Sequence, residues 1–257
     1  MPNEKPVLSS DSKFNFSCHP GLSCFTHCCR DVNIYLSPFD VLRMRKRLGL
    51  SSGEFLDRYT ISLIGEGTGL PVVLLKMDEE RDRQCPFVTP RGCQIYDDRP
   101  WACRMFPLDR GSEYDQFTIL IDPSRCRGLE ESKELYVEDY LKEQGLLVYE
   151  EVEAIFKMLS NSPRVLNEKV ANPRIVQMYY MACYDLDKFR RFIFESRFLD
   201  VFEVEPEVVE RIKTDDLELL QFGFKWLQFG MVMGDALKIK EEALEEAKKK
   251  QAAARED

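Results

Sequence analysis

Eight of the nine cysteines in this 257-residue chain lie between Cys18 and Cys126, and no other feature limits its fold so tightly. They come as a first group, Cys18, Cys24, Cys28 and Cys29, a second group, Cys85, Cys93 and Cys103, and then Cys126. A disulfide scaffold is the bland alternative, but the count is odd and the opening MPNEKPVLSSDSKFNF lacks the apolar core of a secretory signal. No run approaches about 18 apolar residues, so no transmembrane helix and no membrane partner are expected. The expected setting is cytoplasmic, where thiols stay reduced. Buried core cysteines are the other plain reading. It suits Cys183, which falls at helical spacing with Met178, Tyr179 and Ala182. It suits the clustered eight poorly. Thiolates are soft ligands that select zinc, copper(I) and iron–sulfur clusters. The eight are therefore read as ligands of one metal or iron–sulfur centre, or two.

The stretch CPFVTPRGCQIYDDRPWACRMFP, residues 85–107, organises the rest. Arg99-Pro100 starts a helical turn, Cys103 faces the centre, and Pro107 stops the turn. The loop CHPGLSCFTHCC, residues 18–29, answers it. Cys24 and Cys28 share a face if that loop is helical. Cys28 and Cys29 are adjacent, so their side chains diverge toward different parts of a centre. The spacings C-x5-C-x3-CC, C-x7-C and C-x9-C are looser than the paired C-x2-C knuckles of zinc ribbons. That favours a larger object, an iron–sulfur cluster, over zinc.

Arg99 and Arg104 flank Cys103 and are read as cations that offset thiolate charge or donate hydrogen bonds to sulfur. Ordinary surface ion pairing is the alternative. His19 and His27 lie in the first loop, where metal ligation stands beside simple solvation. Tyr96, Trp101 and Phe106 are read as packing residues, and Asp97 and Asp98 as caps rather than a catalytic base.

Hydrophobic content of 44% and charged content of 32% suit a folded chain. A net charge of −9 argues against a nucleic-acid partner, which needs a basic face. The expected fold is mainly α with a small antiparallel β-sheet, and a loop-rich cysteine metal centre in the N-terminal half. Ser37-Pro38 and the capping box at Ser51 to Glu54 open a helical hairpin. Residues 61–77 read as a β-hairpin whose GEGTG turn does not open a helix and so is no phosphate loop. Residues 114–121 read as a strand extending that hairpin's sheet. Helices are expected near 131–143, 147–160, 173–198 and 214–252. The expected divisions are 1–13, mobile; 14–130, the cysteine-cluster domain; and 131–257, a helical region. The charged end of its last helix is read as a solvated face, with a protein partner through the C-terminal helices as the minority reading.

With those residues in hand, the pattern resembles the YkgJ-type cysteine-cluster family, described as a zinc- or iron-chelating domain. The elements that match are Cys85-Pro86, Gly92-Cys93, Tyr96, Arg99-Pro100, Cys103-Arg104 and Phe106-Pro107, preceded by a loop ending in Cys28-Cys29. The first loop is more widely spaced than the family's usual pattern, and the resemblance covers roughly residues 14–130. Flagellin lysine N-methylases are similar in this motif, so the resemblance permits a modification enzyme. Three functions stand side by side. One is a redox or modification enzyme built on an iron–sulfur centre. The second is a module in which zinc or a cluster only staples the fold. The third is a metal carrier or sensor. No radical S-adenosylmethionine run and no dinucleotide fingerprint is present to narrow the enzyme class.

Overall fold

Short helices carry this chain. The computed structural model describes residues 6–113, 115–162, 165, 172–231 and 237–253. Among them the chain is mainly α, with antiparallel sheets of only two or three strands.

Leu8 and Phe117 exchange backbone hydrogen bonds, both at 2.8 Å; residues 1–5 lie outside the described residues. Strand β1 (Lys13–Asn15) and strand β2 (Tyr35–Leu36) follow. Helix α1 (Pro38–Leu48) has its cap where the sequence put it. The Ser37 hydroxyl accepts the Asp40 N–H at 3.1 Å, and Asp40 accepts the Ser37 N–H at 2.9 Å. Helix α2 (Ser52–Tyr59) opens on the expected box, with Glu54 accepting the Ser51 N–H at 2.9 Å. The hairpin is present as β3 (Thr60–Ile64) and β4 (Pro71–Leu75), and its sheet runs β2-β4-β3.

Strands β5 (Val88–Thr89) and β6 (Gly92–Cys93) pair with each other, and α3 (Trp101–Met105) follows. Residues 117–119 do form a strand, but it does not extend the hairpin sheet. Strand β8 (Phe117–Ile119) pairs with β7 (Leu108–Arg110), its neighbour across a short turn. A partner close in sequence closes the smaller loop and wins over a distant sheet. Residues 134–136 are a second correction. They form β9 (Glu134–Tyr136), paired with β1 in the register Phe14↔Leu135, and helix α4 (Val137–Glu143) starts only after it. A long-range pairing has overridden local helical texture here.

The long helices expected downstream are broken. Helices α5 (Leu147–Val152) and α6 (Ala154–Ser160) replace one. Helices α7 (Pro173–Cys183), α8 (Leu186–Glu195) and α9 (Phe198–Val201) replace another. The break after Cys183 has a local cause: the Asp185 side chain accepts the Lys188 N–H at 3.3 Å and so caps a new helix. Strand β10 (Phe202–Glu203), helix α10 (Pro206–Thr214) and helix α11 (Asp216–Met231) come next. Strand β11 (Lys238–Ile239) pairs with β10, and helix α12 (Glu241–Ala253) ends the described chain. The single helix expected over 214–252 is therefore interrupted.

Two compact units emerge. The first holds Met1–Leu48, Tyr59–Ile61 and Val73–Glu151; the second holds Gly49–Arg58, Ser62–Val72 and Val152–Asp257. Residues 131–151 thus go with the first unit, whereas the sequence reading placed them in the helical region. The first unit's core is built on Phe14, Phe16, Met105, Leu108, Phe117, Val137 and Tyr140. The second is built around α11, which buries Leu219, Leu220, Phe224 and Leu227. There Gly223 allows close approach, since an added Cβ would stand 2.8 Å from the Ala182 carbonyl oxygen.

Candidate metal centre

All eight clustered cysteines lie in the first unit, and all are free thiols. The loop 18–29 is not the helix that would put Cys24 and Cys28 on one face. It winds through tight turns, with Leu22 N–H to His19 O at 3.1 Å, Phe25 N–H to Leu22 O at 3.0 Å and His27 N–H to Cys24 O at 2.9 Å. Thr26 at φ 68° sits in the left-handed region, which no α-helix continues through, and His27–Cys29 form a single 3-10 turn. His19 Nδ1 accepts the Gly21 N–H at 3.2 Å, and its Nε2 lies 3.5 Å from Glu131. His27 is exposed. Neither histidine is turned into the thiol cluster by these contacts.

The thiols sit on turns. Phe87 N–H lies near Cys85, Ile95 N–H near Cys93 and Gly128 N–H near Cys126, each lowering a thiol that burial raises, while Val88 N–H donates to Cys85 O at 3.2 Å and Leu129 N–H to Cys126 O at 3.1 Å. An N–H beside sulfur favours the thiolate over the thiol. The Arg127 N–H donates to Cys24 Sγ at 3.3 Å, so Cys24 is brought to the Cys126 turn. Gly128 is required there: an added Cβ would stand 2.8 Å from Ser17 O, and Ser17 N–H donates to Gly128 O at 3.0 Å. That contact lays Cys18 beside Cys126.

The electrostatics show thiols crowded against one another. Burial pushes Cys18 up to about 11, with Cys28, Cys126 and Cys24 adding to it. Burial also pushes Cys85 up to about 11, against the pull of the Phe87 N–H and with Cys93 adding. Cys103 keeps accessible surface but is surrounded by protein on most sides. Its thiol is raised first by that desolvation and then by Cys85, Asp40, Cys93 and Cys28. Cys28 is lowered because Cys29 donates a hydrogen bond to it, and Cys29 is raised for the same reason. Thiolates packed this way repel one another unless a cation lies among them. Arg81 near Cys85 and Arg99 near Cys93 supply part of that charge. Among the described residues no three His, Cys, Asp or Glu side chains are arranged to hold a metal ion as they stand. The fit to a metal is one of donor chemistry: eight reduced thiols gathered in one unit suit zinc or iron and suit no hard cation.

Arg104 has other work than the one expected of it. Its Nε donates to Arg99 O at 2.8 Å, one terminal nitrogen donates to Gln144 O at 2.8 Å, and the other to Asp97 O. Those bonds tie the turn before Cys103 to the end of α4, and none goes to sulfur. Arg99 donates to Tyr96 O at 2.5 Å and to the Gln144 side chain, and its guanidinium lies 3.8 Å from the Tyr96 ring centroid. Tyr96 is exposed and is no core residue, whereas Trp101 and Phe106 pack against the core. Asp98 pairs with Arg43 at 3.1 Å, a structural contact.

Asp40 is the residue that sequence reasoning missed as part of the site. Fully buried, it accepts the Trp101 N–H and the Tyr149 hydroxyl, each at 2.8 Å, besides the Ser37 N–H. It therefore holds the first turn of the helix that carries Cys103. Burial raises its carboxyl, against these hydrogen bonds. The signal was present in Ser37-Pro38-Phe39-Asp40, but it read only as a helix cap. Cys183 lies elsewhere, wholly buried in the second unit, its thiol pushed well up by burial and then by Glu153.

Fold and site together define a class: a mainly α chain whose first unit carries a thiol-rich centre on short turns. Residues 17–132 match the CxxCxxCC family model, whose description reads "Putative zinc- or iron-chelating domain". No curated protein and no solved structure matches the chain. No described helix is long and apolar enough to cross a membrane.

Proposed function

We propose that the domain spanning residues 17–132 binds zinc or an iron–sulfur cluster through Cys18, Cys24, Cys28, Cys29, Cys85, Cys93, Cys103 and Cys126, and that the bound metal fixes the fold of the first unit. The observation that carries this reading is the gathering of eight free thiols in one unit, with Arg127 N–H donating to Cys24 Sγ at 3.3 Å and drawing it to the Cys126 turn. A fold that needed only buried core thiols would have no reason to gather eight in one unit and leave three of those residues exposed. Amide-to-sulfur hydrogen bonds stabilise ligating thiolates and set the potential of clusters. The metal supplies charge neutralisation and cross-links; the chain's residues orient the sulfurs and exclude water on the Phe14, Phe16 and Phe106 side.

The exposed residues Cys18 and Cys28 favour a second role. A centre open to solvent is able to exchange electrons or hand on its metal, as a redox enzyme or carrier does. Anaerobic purification with metal and sulfide analysis tests the main reading. Stoichiometric zinc without colour supports the staple. A brown protein with iron and acid-labile sulfide supports the cluster. Metal-free protein with eight freely titrating thiols and unchanged stability overturns both.

A further inference from the structure

Backbone contacts gather six of the eight thiols into two groups of three, Cys18, Cys24 and Cys126 in one and Cys29, Cys85 and Cys93 in the other. Ser17 N–H to Gly128 O at 3.0 Å and Arg127 N–H to Cys24 Sγ at 3.3 Å bring Cys18 and Cys24 to the Cys126 turn. Elsewhere in the same unit, Cys85 N–H donates to Cys29 O at 2.8 Å, and Val88 pairs directly with Cys93. Cys103 is influenced most, among thiols, by Cys85 and then Cys93. Cys28 and Cys29 stand at the seam. Cys28 acts on Cys18 and Cys126, while Cys29 is acted on by Cys85 and Cys103 besides Cys28 itself. Cys28 reaches Cys103 too, as the last of that thiol's four influences.

We propose, resting on the thiolate–metal reading above, that the domain holds two centres, one on Cys18, Cys24, Cys28 and Cys126 and the other on Cys29, Cys85, Cys93 and Cys103. Four thiolates saturate a tetrahedral zinc or one iron–sulfur cluster, so eight are twice what a single centre uses. Two adjacent residues, with Cα atoms about 3.8 Å apart, serve two neighbouring centres better than they chelate one. The 28–29 peptide then tethers one centre to the other.

Cobalt(II) titration of the full reduced chain under anaerobic conditions tests the division. Native mass spectrometry counts the ions, and sulfur-to-cobalt charge-transfer absorbance reports thiolate ligation. The expected result is two ions per chain in the wild type. Cys24→Ser and Cys93→Ser each keep one ion with the band roughly halved, and the double variant keeps none. Adding Cys103→Ser to Cys93→Ser removes nothing further. One ion in the wild type, abolished by either single variant, overturns the division but leaves the metal reading standing. Two ions lost together in either single variant point to one binuclear centre and also overturn it. No thiolate-bound cobalt in the wild type overturns the metal reading and the division with it. Cys18→Ser, at an exposed member of the first set, repeats the test should Cys24→Ser fail to fold by circular dichroism.

Discussion

Asp40 accepts three donors in a place water does not reach, the N–H groups of Ser37 and Trp101 and the Tyr149 hydroxyl. Truncating it orphans all three. Each stranded buried donor costs about 1–3 kcal/mol, partly relieved by relaxation, so Asp40→Ala should lose about 2–4 kcal/mol. Asp40→Asn keeps one acceptor and should lose less. Urea unfolding of the two variants measures both, and equal, small losses would remove Asp40 from the scaffold of Cys103. Arg104 shows the limit of reading residue types along a sequence. Its place beside Cys103 suggested a partner for sulfur, yet its donors reach the carbonyls of Asp97, Arg99 and Gln144. Which acceptor a guanidinium finds depends on chain atoms up to 40 residues away. The partition of the cysteines needed no such knowledge, because Cys183 lay on an apolar helical face with no basic neighbour. Cys183→Ala should keep full metal content and lose about 1 kcal/mol, whereas Cys93→Ala should lose metal. Metal stoichiometry on the two purified variants decides between the roles.

Single turns, more than helices or strands, position the ligands. The Cys126 turn depends on Gly128, whose missing Cβ lets Ser17 O approach. Gly128→Ala must push the Cys18 strand away by a few tenths of an ångström or break the Ser17 N–H bond. Overpacking of this kind costs about 1–3 kcal/mol, and here it should also weaken metal uptake in proportion. Gly53→Ala, where the added Cβ meets nothing within 4 Å, is the control. Chelator competition on the two variants checks the pair; equal affinities would mean that the 17–128 contact is incidental to the centre. Elements with self-contained signals were legible in the sequence. The caps of α1 and α2 and the Gly-rich hairpin are local chemistry, and they form as read. The breaks inside 173–198 were not legible, because neither proline nor glycine marks them and Asp185 caps α8 from within an unbroken helical pattern. Strand β9 was hidden for a different reason. Its partner β1 lies more than a hundred residues away, at Lys13↔Tyr136.

For the whole molecule, the two units differ in what holds each together. The first unit's sheets are made of strands mostly two or three residues long, and its ligand loop is a run of turns. The second is knit by helices packed on α11, with Phe189 stacked on Trp226 at 5.4 Å and Phe198 edge-on to it at 5.6 Å. Metal removal should therefore raise amide hydrogen exchange across residues 17–132 far more than across 173–231. Equal change in both would count against a stapling metal. The same comparison carries a pH dependence with a defined sign. With metal chelated, Cys18 and Cys85 hold their protons up to about 11, against an ordinary value of 9.0. Unfolded, these thiols ionise first, so the unfolded state binds fewer protons as pH rises. Their contribution to stability is fully present below about pH 9 and fades as pH climbs toward 11. Tyr140 and Tyr149, held above the usual tyrosine range by burial, push the same way from about pH 10 upward. With metal bound the thiols are already thiolates, so the thiol part of this loss should vanish while the tyrosine part remains. Urea midpoints measured from pH 7.5 to 9.5, with and without chelator, isolate the thiol part. A decline of the same slope in both conditions would show that these sulfurs are not the ligands.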